Sequence, residues 1–454
     1  MLRLSSLVAL LIALCTAVHA ADPAPDKDRH VILISIDGFP AWMWRDPSLS
    51  IPNLRRLAAE GAVADAMTVS NPSVTWINHT TMVTGVKPEK HGVLYNGLLV
   101  RQGPTLPPKI EQWVDKDRLV RVPTLYDVAF KAGLTTAEVD WVAITRAPTI
   151  TWSFPEIPSP EGVIEKELYM QGQLTGDELT DIARMRNIAW RDRQWTNAAV
   201  HILKTRKPNL LLFHLLTTDS TNHTYGPGSM ASYTAYGYAD QLIGQLLSAL
   251  KESGMQDKTS IIVGTDHGFK KVSKLIYLNV ALRKAGLLQA LGSKVTKCDG
   301  YVFTEGGLAF AFVTDPARKA ELLPRLKEVL EKVEGVDKVI DGHEGPALGM
   351  PLPENNEGMG DLILYPKAGY AFNALAAGED EVVLSTGYLG THGYPNTDPE
   401  LDGIFLAWGK GIRQGMKLPR VTNLDVAPTL ARLLGVKLPQ VDGRVLEEIL
   451  EPAP

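Results

Sequence analysis

The stretch HVILISID, residues 30–37, is a nearly uninterrupted apolar run that ends on Asp37. A run of this length and composition predicts a strand buried on both faces of a parallel sheet, with Gly38 opening the loop that follows. An amphipathic segment with a glycine stop, residues 52–61, comes next and predicts a helix. The chain therefore begins as a β-then-α unit.

The same pattern, an apolar run followed by an acid, recurs twice. The run at residues 209–217 leads to Asp219, and the run at residues 260–265 delivers Asp266. In open parallel sheets the ligand crevice lies at the carboxyl ends of the strands, so the acids that follow the three strands would meet there. One aspartate after a strand is ordinary loop chemistry, but the recurrence predicts a site at that edge.

The remaining pattern predicts an α/β fold with a mostly parallel sheet sandwiched by helices. Between residues 298 and 364 the pattern changes to short strands around one charged helix, which predicts a small α+β insertion, or cap. The core would then comprise residues 28–297 and 365–450. The proline-rich and aromatic stretch at residues 151–170 predicts a long surface loop near a pocket rim.

Composition narrows the class of protein. The 454 residues are 45% hydrophobic and 21% charged, with a formal net charge of −5, which indicates an ordinary globular chain with ample core material. Nothing in this balance indicates disorder or a broad basic surface for a nucleic-acid polymer.

The first 20 residues have the pattern of a cleavable export signal. Arg3 precedes an apolar run that is too short to span a bilayer, and small residues end the segment near Ala20. This predicts a periplasmic or secreted protein without a transmembrane segment. A lipoprotein anchored through Cys15 is a weaker alternative, because bulky Leu14 precedes that cysteine. Cleavage would leave Cys298 as a single thiol, so no intramolecular disulfide is predicted.

A loop that turns into a helix, NPSVTWINHTTMVTG at residues 71–85, carries the candidate nucleophile Thr75. A hydroxyl at a helix N-terminus lies where backbone N–H groups and the helix dipole favour an anion. An isolated threonine there is more often only an N-cap, so the assignment depends on the rest of the chain.

Candidate metal ligands accompany two of the strand-end acids. Asp219 and His223 are four residues apart, and Asp266 is directly followed by His267. His392 lies in a Gly-Thr-His-Gly context that permits close backbone approach. No cysteine is involved, so a hard or borderline ion with oxygen and nitrogen ligands is indicated. Five other histidines, His79, His91, His201, His214 and His343, are interpreted as structural.

Five short motifs follow one another along the chain: Asp37-Gly-Phe, Thr75-Trp-Ile-Asn78-His79, Asp219-Ser-Thr-Asn-His223, Asp266-His267-Gly268-Phe269 and His392-Gly393. Their order resembles that of the nucleotide pyrophosphatase/phosphodiesterases of the alkaline phosphatase superfamily, over about residues 30 to 440. The resemblance implies two Zn²⁺ ions. One would be held by Asp37, Thr75, Asp266 and His267, and the other by Asp219, His223 and His392.

The resemblance also implies a phosphodiesterase or nucleotide pyrophosphatase that acts through a phospho-Thr75 intermediate on a small phosphate ester, nucleotide-like or another diester. Asn78, three residues after Thr75 on the same helical face, would donate to a non-bridging oxygen. Trp76 replaces the family's usual Phe or Tyr and could stack on a base. Trp141 is a second candidate for an aromatic wall of the substrate site. The alternative, that it is a core or rim tryptophan, is at least as well supported.

Two alternatives remain open at this point. The same metals could serve a phosphomonoesterase or phosphonate hydrolase, or the chain could be a metal-stabilised binding protein. A sulfatase would require Cys or Ser where Thr75 stands, and no arginine suited to clamping a dianionic monoester follows Thr75.

Overall fold

The computed structural model describes residues 25–185 and 187–452. Its central element is an eight-stranded sheet. The strands, in spatial order, are Met416–Leu418, Ala62–Ala64, Phe405–Gly409, Thr259–Gly264, His30–Ile36, Leu210–Leu215, Thr136–Val139 and Trp152–Phe154. The predicted export signal, residues 1–20, lies outside the described residues.

Strand direction in this sheet follows the prediction. His30–Ile36 pairs in parallel with both of its neighbours, Leu210–Leu215 and Thr259–Gly264. Only Phe405–Gly409 runs antiparallel to the strands beside it. The mostly parallel sheet is thus confirmed, and the three acids predicted to meet follow three adjacent strands that all point the same way.

Helices cover both faces of the sheet. Side chains alternate between the two faces along each strand, so an apolar strand needs cover on both. Ile32, Ile34 and Ile36 pack into one apolar cluster, while Val31 and Leu33 pack into another on the opposite face. The α-helices of the described chain are Ala41–Trp44, Pro52–Glu60, Thr75–Thr84, Pro88–His91, Lys116–Leu119, Leu125–Lys131, Val163–Met170, Gly176–Ala183, Ile188–Arg206, Thr217–Tyr225, Met230–Glu252, Leu278–Lys284, Lys319–Glu331 and Val426–Leu434.

A second lobe is built on a four-stranded antiparallel sheet. Its strands, in spatial order, are Gly300–Thr304, Ala309–Val313, Leu362–Pro366 and Val336–Asp341. The helix Lys319–Glu331 packs on it through Leu322, Leu326 and Leu330. The same apolar cluster also includes Ile276 and Phe372, which lie on either side of the predicted insertion. The limits of that insertion, 298–364, stay a prediction.

Short strands complete the structure, in two-stranded or three-stranded sheets around these lobes. They are Met67–Thr68, Leu98–Val100, Lys109–Glu111, Lys270–Lys271, Lys274–Ile276, Leu288–Leu291, Lys294–Cys298, Tyr370–Phe372, Val382–Leu384, Gly390–Thr391 and Val421–Thr422.

The prediction of a long loop at residues 151–170 is wrong. Trp152–Phe154 forms the edge strand of the main sheet, and Val163–Met170 forms a helix that buries Ile164 and Leu168. Three residues are too few to display a strand's alternation, so local pattern could not reveal this pairing. Within the described ranges, no helix is both long and apolar enough to cross a bilayer.

Candidate active site

The helix Thr75–Thr84, the Thr75 helix, places the candidate nucleophile. All ten of its residues are buried, and it ends at Gly85, whose φ of 70° lets the backbone turn in the left-handed region. Val74 occupies the N-cap position, and no side chain caps the helix. Thr75 is therefore the first helical residue and not a cap, so its hydroxyl is free for another role.

The Thr75 hydroxyl faces a histidine that is surrounded by acids. Thr75 Oγ1 lies 3.4 Å from His267 Nε2. The same nitrogen lies 3.4 Å from Asp37 Oδ1 and 3.2 Å from Asp266 Oδ2. These four side chains, which were predicted to hold one ion, therefore converge on one point at the carboxyl ends of two adjacent strands.

A second group lies beside the first. Asp219 Oδ1 is 3.3 Å from His223 Nε2 and 3.8 Å from His392 Nε2. Asp219, His223 and His392 have ligand atoms within 4.8 Å of one another, and so do Asp37, Asp219 and His267. Asp219 thus belongs to both groups. The imidazoles of His267 and His392 stack with centroids 3.7 Å apart, which brings the groups into one site.

Backbone contacts orient the histidines for coordination. His223 Nδ1 lies 2.9 Å from the carbonyl oxygen of Gly390, and His392 Nδ1 lies 3.0 Å from that of Ser73. A carbonyl oxygen only accepts hydrogen bonds, so each Nδ1 carries the hydrogen and each Nε2 presents a lone pair toward Asp219. This is the arrangement that metal-binding histidines commonly adopt.

The acids of the site lack the partners that buried carboxylates require. Asp37 Oδ1, Asp219 Oδ1 and Asp266 Oδ2 are buried and accept no hydrogen bond from a described residue. Burial, together with the neighbouring Asp266 and Asp219, raises the pKa of Asp37 well above its usual range. Burial also raises the pKa of Asp266 to about 6. Carboxylates in this state fit bound cations, and the oxygen and imidazole donors suit a borderline ion such as Zn²⁺.

The structure contradicts the predicted role of Asn78. Its Nδ2 donates to the carbonyl oxygens of Pro72 and Val74, both at 3.0 Å. Its Oδ1 accepts from the Ser70 backbone N–H at 2.8 Å and from Asn423 Nδ2 at 2.7 Å. The side chain is 0% exposed and both amide hydrogens are used, so Asn78 braces the loop before Thr75 and has no hydrogen to offer a substrate.

Asn96, which no sequence motif marked, is better placed than Asn78 to donate a hydrogen bond beside Thr75. Its Oδ1 accepts a 3.0 Å hydrogen bond from the backbone N–H of Trp76, the residue after Thr75. That bond fixes the Asn96 side-chain amide beside the candidate nucleophile, and its Nδ2 donates to no described residue. Asn96 lies in a loop 21 positions from Thr75, so helical periodicity could not connect the two.

The two predicted aromatic contacts are buried. Trp76 is 5% exposed and packs against Trp113, with ring centroids 5.8 Å apart, inside an apolar cluster. Trp141 is 3% exposed and contacts His79 edge-on at 4.8 Å, in the core below the site. This burial argues against the predicted use of either ring as a substrate wall, because little of either side chain is accessible. Trp113, which is partly exposed, retains accessible aromatic surface.

Two histidines interpreted as structural lie against the site. His79 Nδ1 contacts the Thr75 carbonyl oxygen at 2.8 Å and lies 3.7 Å from Asp266 Oδ2. His214 Nε2 lies 3.0 Å from Asp37 Oδ2. His214 occupies an inward strand position, where sequence alone does not distinguish a core histidine from one that supports a ligand. By contrast, the His91 ring contacts the Thr81 hydroxyl and the Val93 backbone N–H and none of the candidate ligands, as expected of a structural residue.

Replacing each asparagine with alanine should separate these roles. If Asn96 is the donor to a substrate beside Thr75, we expect Asn96→Ala to lower kcat by about 10²-fold or more. The melting temperature should change little. We expect Asn78→Ala to destabilise the fold by about 1–3 kcal/mol, because it leaves several buried polar groups unpaired. Steady-state kinetics and denaturant unfolding measure the two effects, and the opposite assignment would restore Asn78 as the donor.

Comparison with known proteins agrees with this geometry. Murine ectonucleotide pyrophosphatase / phosphodiesterase 5 superposes with a TM-score of 0.71 at 17% identity, covering 93% of this chain and 100% of that one. An inactive variant of the same murine protein, solved in complex with AMP, superposes with a TM-score of 0.70 at 18% identity, covering 93% of this chain and 100% of that one. The fold is therefore the alkaline-phosphatase-like α/β fold, as predicted.

Sequence relatives lead from the fold to the family. A mouse (Mus musculus) protein, ectonucleotide pyrophosphatase/phosphodiesterase family member 7, is 25% identical over 96% of this chain and 91% of its own length. A venom phosphodiesterase of Macrovipera lebetinus is 23% identical over 93% of this chain, which spans about half (45%) of that longer protein. The family model for type I phosphodiesterase / nucleotide pyrophosphatase matches residues 31–395. The chain belongs to this family, whose members are hydrolases of phosphodiester bonds.

Proposed function

We propose that this protein is an exported two-metal phosphodiesterase or nucleotide pyrophosphatase that uses Thr75 as its nucleophile. The observation that carries the proposal is the position of the Thr75 hydroxyl, 3.4 Å from His267 Nε2 at the point where Asp37 and Asp266 converge. A buried threonine hydroxyl that caps no helix and lies beside three other candidate ligands is suited to activation by a metal.

The proposed ligand sets follow the two groups of side chains. Asp37, Thr75, Asp266 and His267 would hold one Zn²⁺, and Asp219, His223 and His392 the other. Such a pair lowers the pKa of a coordinated hydroxyl and offsets the charge of the oxygens in an in-line displacement. The unpartnered carboxylate oxygens and the Nε2 lone pairs support these assignments.

In the proposed reaction Thr75 Oγ1 gives up its proton to solvent, attacks phosphorus and forms an Oγ–P bond, while the bond from phosphorus to the leaving oxygen breaks. The leaving oxygen departs with the electron pair and takes a proton from solvent. Asn96 Nδ2 would donate to a non-bridging oxygen during this step. Water then attacks phosphorus and cleaves the Oγ–P bond, which regenerates the Thr75 hydroxyl and releases a phosphate monoester.

The charge of the proposed donor favours a diester over a monoester. A diester carries one negative charge and a monoester close to two at neutral pH, and the residue beside Thr75 with a free donor is a neutral amide, Asn96. Dianions are commonly held by arginine, whose planar fork matches the phosphoryl oxygens. The second candidate, a phosphomonoesterase or phosphonate hydrolase with the same metals, would lack such a clamp here.

A comparison of two chromogenic substrates tests this preference. We expect kcat/KM for bis(4-nitrophenyl) phosphate to exceed that for 4-nitrophenyl phosphate by about tenfold or more, which corresponds to about 1.4 kcal/mol in transition-state stabilisation. Both substrates release the same phenol, so the leaving group is matched. A preference for the monoester would overturn the assignment.

The substrate class and location rest on the relatives and on the N-terminal pattern. Relatives are named ectonucleotide pyrophosphatases and venom phosphodiesterases, and one structural neighbour was solved with AMP. We therefore propose a small nucleotide-like diester or anhydride as substrate, and export to the periplasm or the medium. Release of AMP from a dinucleoside polyphosphate, followed by chromatography, tests the first part.

A further inference from the structure

A buried polar chain runs from Asp37 away from the site. His214 Nε2 lies 3.0 Å from Asp37 Oδ2. On its other side, His214 Nδ1 lies 3.0 Å from the backbone oxygen of Asp140 and 3.2 Å from Asp140 Oδ2. All three residues are at most 1% exposed. Burying an imidazole and two carboxylates away from solvent is costly unless their polar atoms are paired, and here each ring nitrogen contacts a carboxylate.

Strand register explains how these groups meet. His214 pairs directly with Ser35 on the neighbouring strand, so its ring lies on the same face of the sheet as Asp37, two residues further along. Asp140 follows the strand Thr136–Val139 and has a φ of 57°, in the left-handed region that is uncommon for a residue other than glycine. In this conformation its backbone oxygen and its carboxylate both reach the same ring nitrogen.

The two oxygens of Asp37 have different surroundings. Oδ2 contacts His214, whereas Oδ1 has no hydrogen-bond partner among the described residues and lies 3.4 Å from His267 Nε2, inside the proposed metal site. A carboxylate can rotate about its χ2 bond, so something must keep Oδ1 directed at the site. The His214 contact supplies that constraint, and the two contacts with Asp140 fix the ring that supplies it.

We infer that His214, held by Asp140, is a positioning residue that orients the Asp37 carboxylate for metal binding. The inference rests on the proposed function, because it assumes that Asp37 is a metal ligand. It extends that function to two residues outside the ligand sets. Partners behind a ligand commonly affect metal affinity by about 10–100-fold when they are removed.

Metal affinity, measured by competition with a chromogenic chelator, tests the inference. The decisive variant is His214→Leu, which fills a similar volume without a donor, and His214→Gln restores one donor. We expect wild-type protein to bind two Zn²⁺ ions and His214→Leu to bind one of them about 10–100-fold more weakly. His214→Gln should recover part of that loss. The kcat for diester hydrolysis should be highest in wild type, lower in His214→Gln and lowest in His214→Leu, with a smaller change in KM.

The matched control is His201→Gln. His201 is also a buried histidine that contacts a carboxylate, Glu167 Oε2 at 2.8 Å, but it lies outside the site. This variant should bind both ions with wild-type affinity. If it loses an ion as His214→Leu does, the effect is a general consequence of removing a buried histidine and the inference fails.

The outcomes separate this inference from the proposed function. Wild-type protein that binds no divalent metal defeats the proposed function and, with it, the inference. Wild-type protein with two ions and a folded His214→Leu variant of unchanged affinity defeats the inference alone. Should His214→Leu not fold, His214→Phe decides, because it keeps a buried ring but has no donor for Asp37 Oδ2. Weaker binding of one ion in that variant supports the inference, and unchanged affinity overturns it.

Discussion

Replacing Thr75 with alanine is expected to abolish diester hydrolysis while the fold is retained. The Thr75 hydroxyl lies 3.4 Å from His267 Nε2, and alanine removes this proposed nucleophile together with one methyl group. Loss of a nucleophile in comparable covalent mechanisms costs on the order of 10³-fold to 10⁶-fold in kcat. Initial rates with bis(4-nitrophenyl) phosphate, measured with saturating Zn²⁺, give the size of the loss.

Stability separates this role from a helix cap. An N-cap threonine contributes about 1 kcal/mol, but Val74 holds that position and no capping bond is present. The lost methyl group costs roughly 0.8 kcal/mol of burial, partly offset by the better helix propensity of alanine. We therefore expect the free energy of unfolding to change by about 1 kcal/mol or less. The zinc stoichiometry should stay at two, because the carboxylates and imidazoles remain.

Thr75→Ser is the matched control. Serine keeps the hydroxyl and should retain easily measurable hydrolysis. Activity of Thr75→Ala close to wild type would refute the covalent mechanism. If metal chelation also left the activity of Thr75→Ala unchanged, the hypothesis of a metal-stabilised binding protein would gain support.

The sheet and most of the site could be predicted because both depend on local signals. A buried parallel strand is apolar along its whole length, so its end is visible in sequence, and the acid at that end marks the crevice. Asp37 and Asp266 are predicted in this way, and the structure brings both to His267 Nε2, the atom that the Thr75 hydroxyl faces. His392 follows a two-residue strand, so only its glycine-flanked motif marked it.

The residues that were misassigned depend on contacts between distant segments. Periodicity correctly put Asn78 near Thr75, but the Thr75 helix is buried all round, so a shared face does not imply a shared cavity. The contact between Asn78 and Asn423 joins positions 345 residues apart. Asn96 and His214 became visible only through hydrogen bonds to Trp76 and Asp37. No local pattern distinguishes a buried asparagine that braces a loop from one that donates to substrate.

Asp219→Asn is expected to have the second large effect, because Asp219 is the carboxylate of the second proposed ligand set and also lies within 4.8 Å of the ligand atoms of Asp37 and His267. Asparagine keeps the shape but removes the charge and one strong acceptor. Burial disfavours the charged form of Asp219, yet His223 and His392 attract it and hold its pKa below the usual range. We expect at least one Zn²⁺ to be lost at micromolar zinc and kcat/KM to fall by about 10²-fold or more, since a second group stabilises the reacting oxygens.

Thermal unfolding with and without zinc gives this prediction a readout independent of activity. A ligand that binds only the folded state stabilises it by about 2.7 kcal/mol at a concentration 100 times its Kd, so zinc should raise the melting temperature of wild-type protein. In metal-free protein, Asp219 repels Asp37 and contributes to the raised pKa of that residue. Attraction to His223 and His392 nevertheless outweighs burial and holds the pKa of Asp219 low, so removing the charge should make metal-free Asp219→Asn less stable than wild type, while its response to zinc shrinks. Asp240→Asn, at a buried aspartate that bonds Asn53 and Leu54 away from the site, should lower stability but keep the full zinc response. An undiminished zinc response in Asp219→Asn would contradict the assignment of Asp219 as a ligand, because the loss of a ligand's charge should weaken zinc binding.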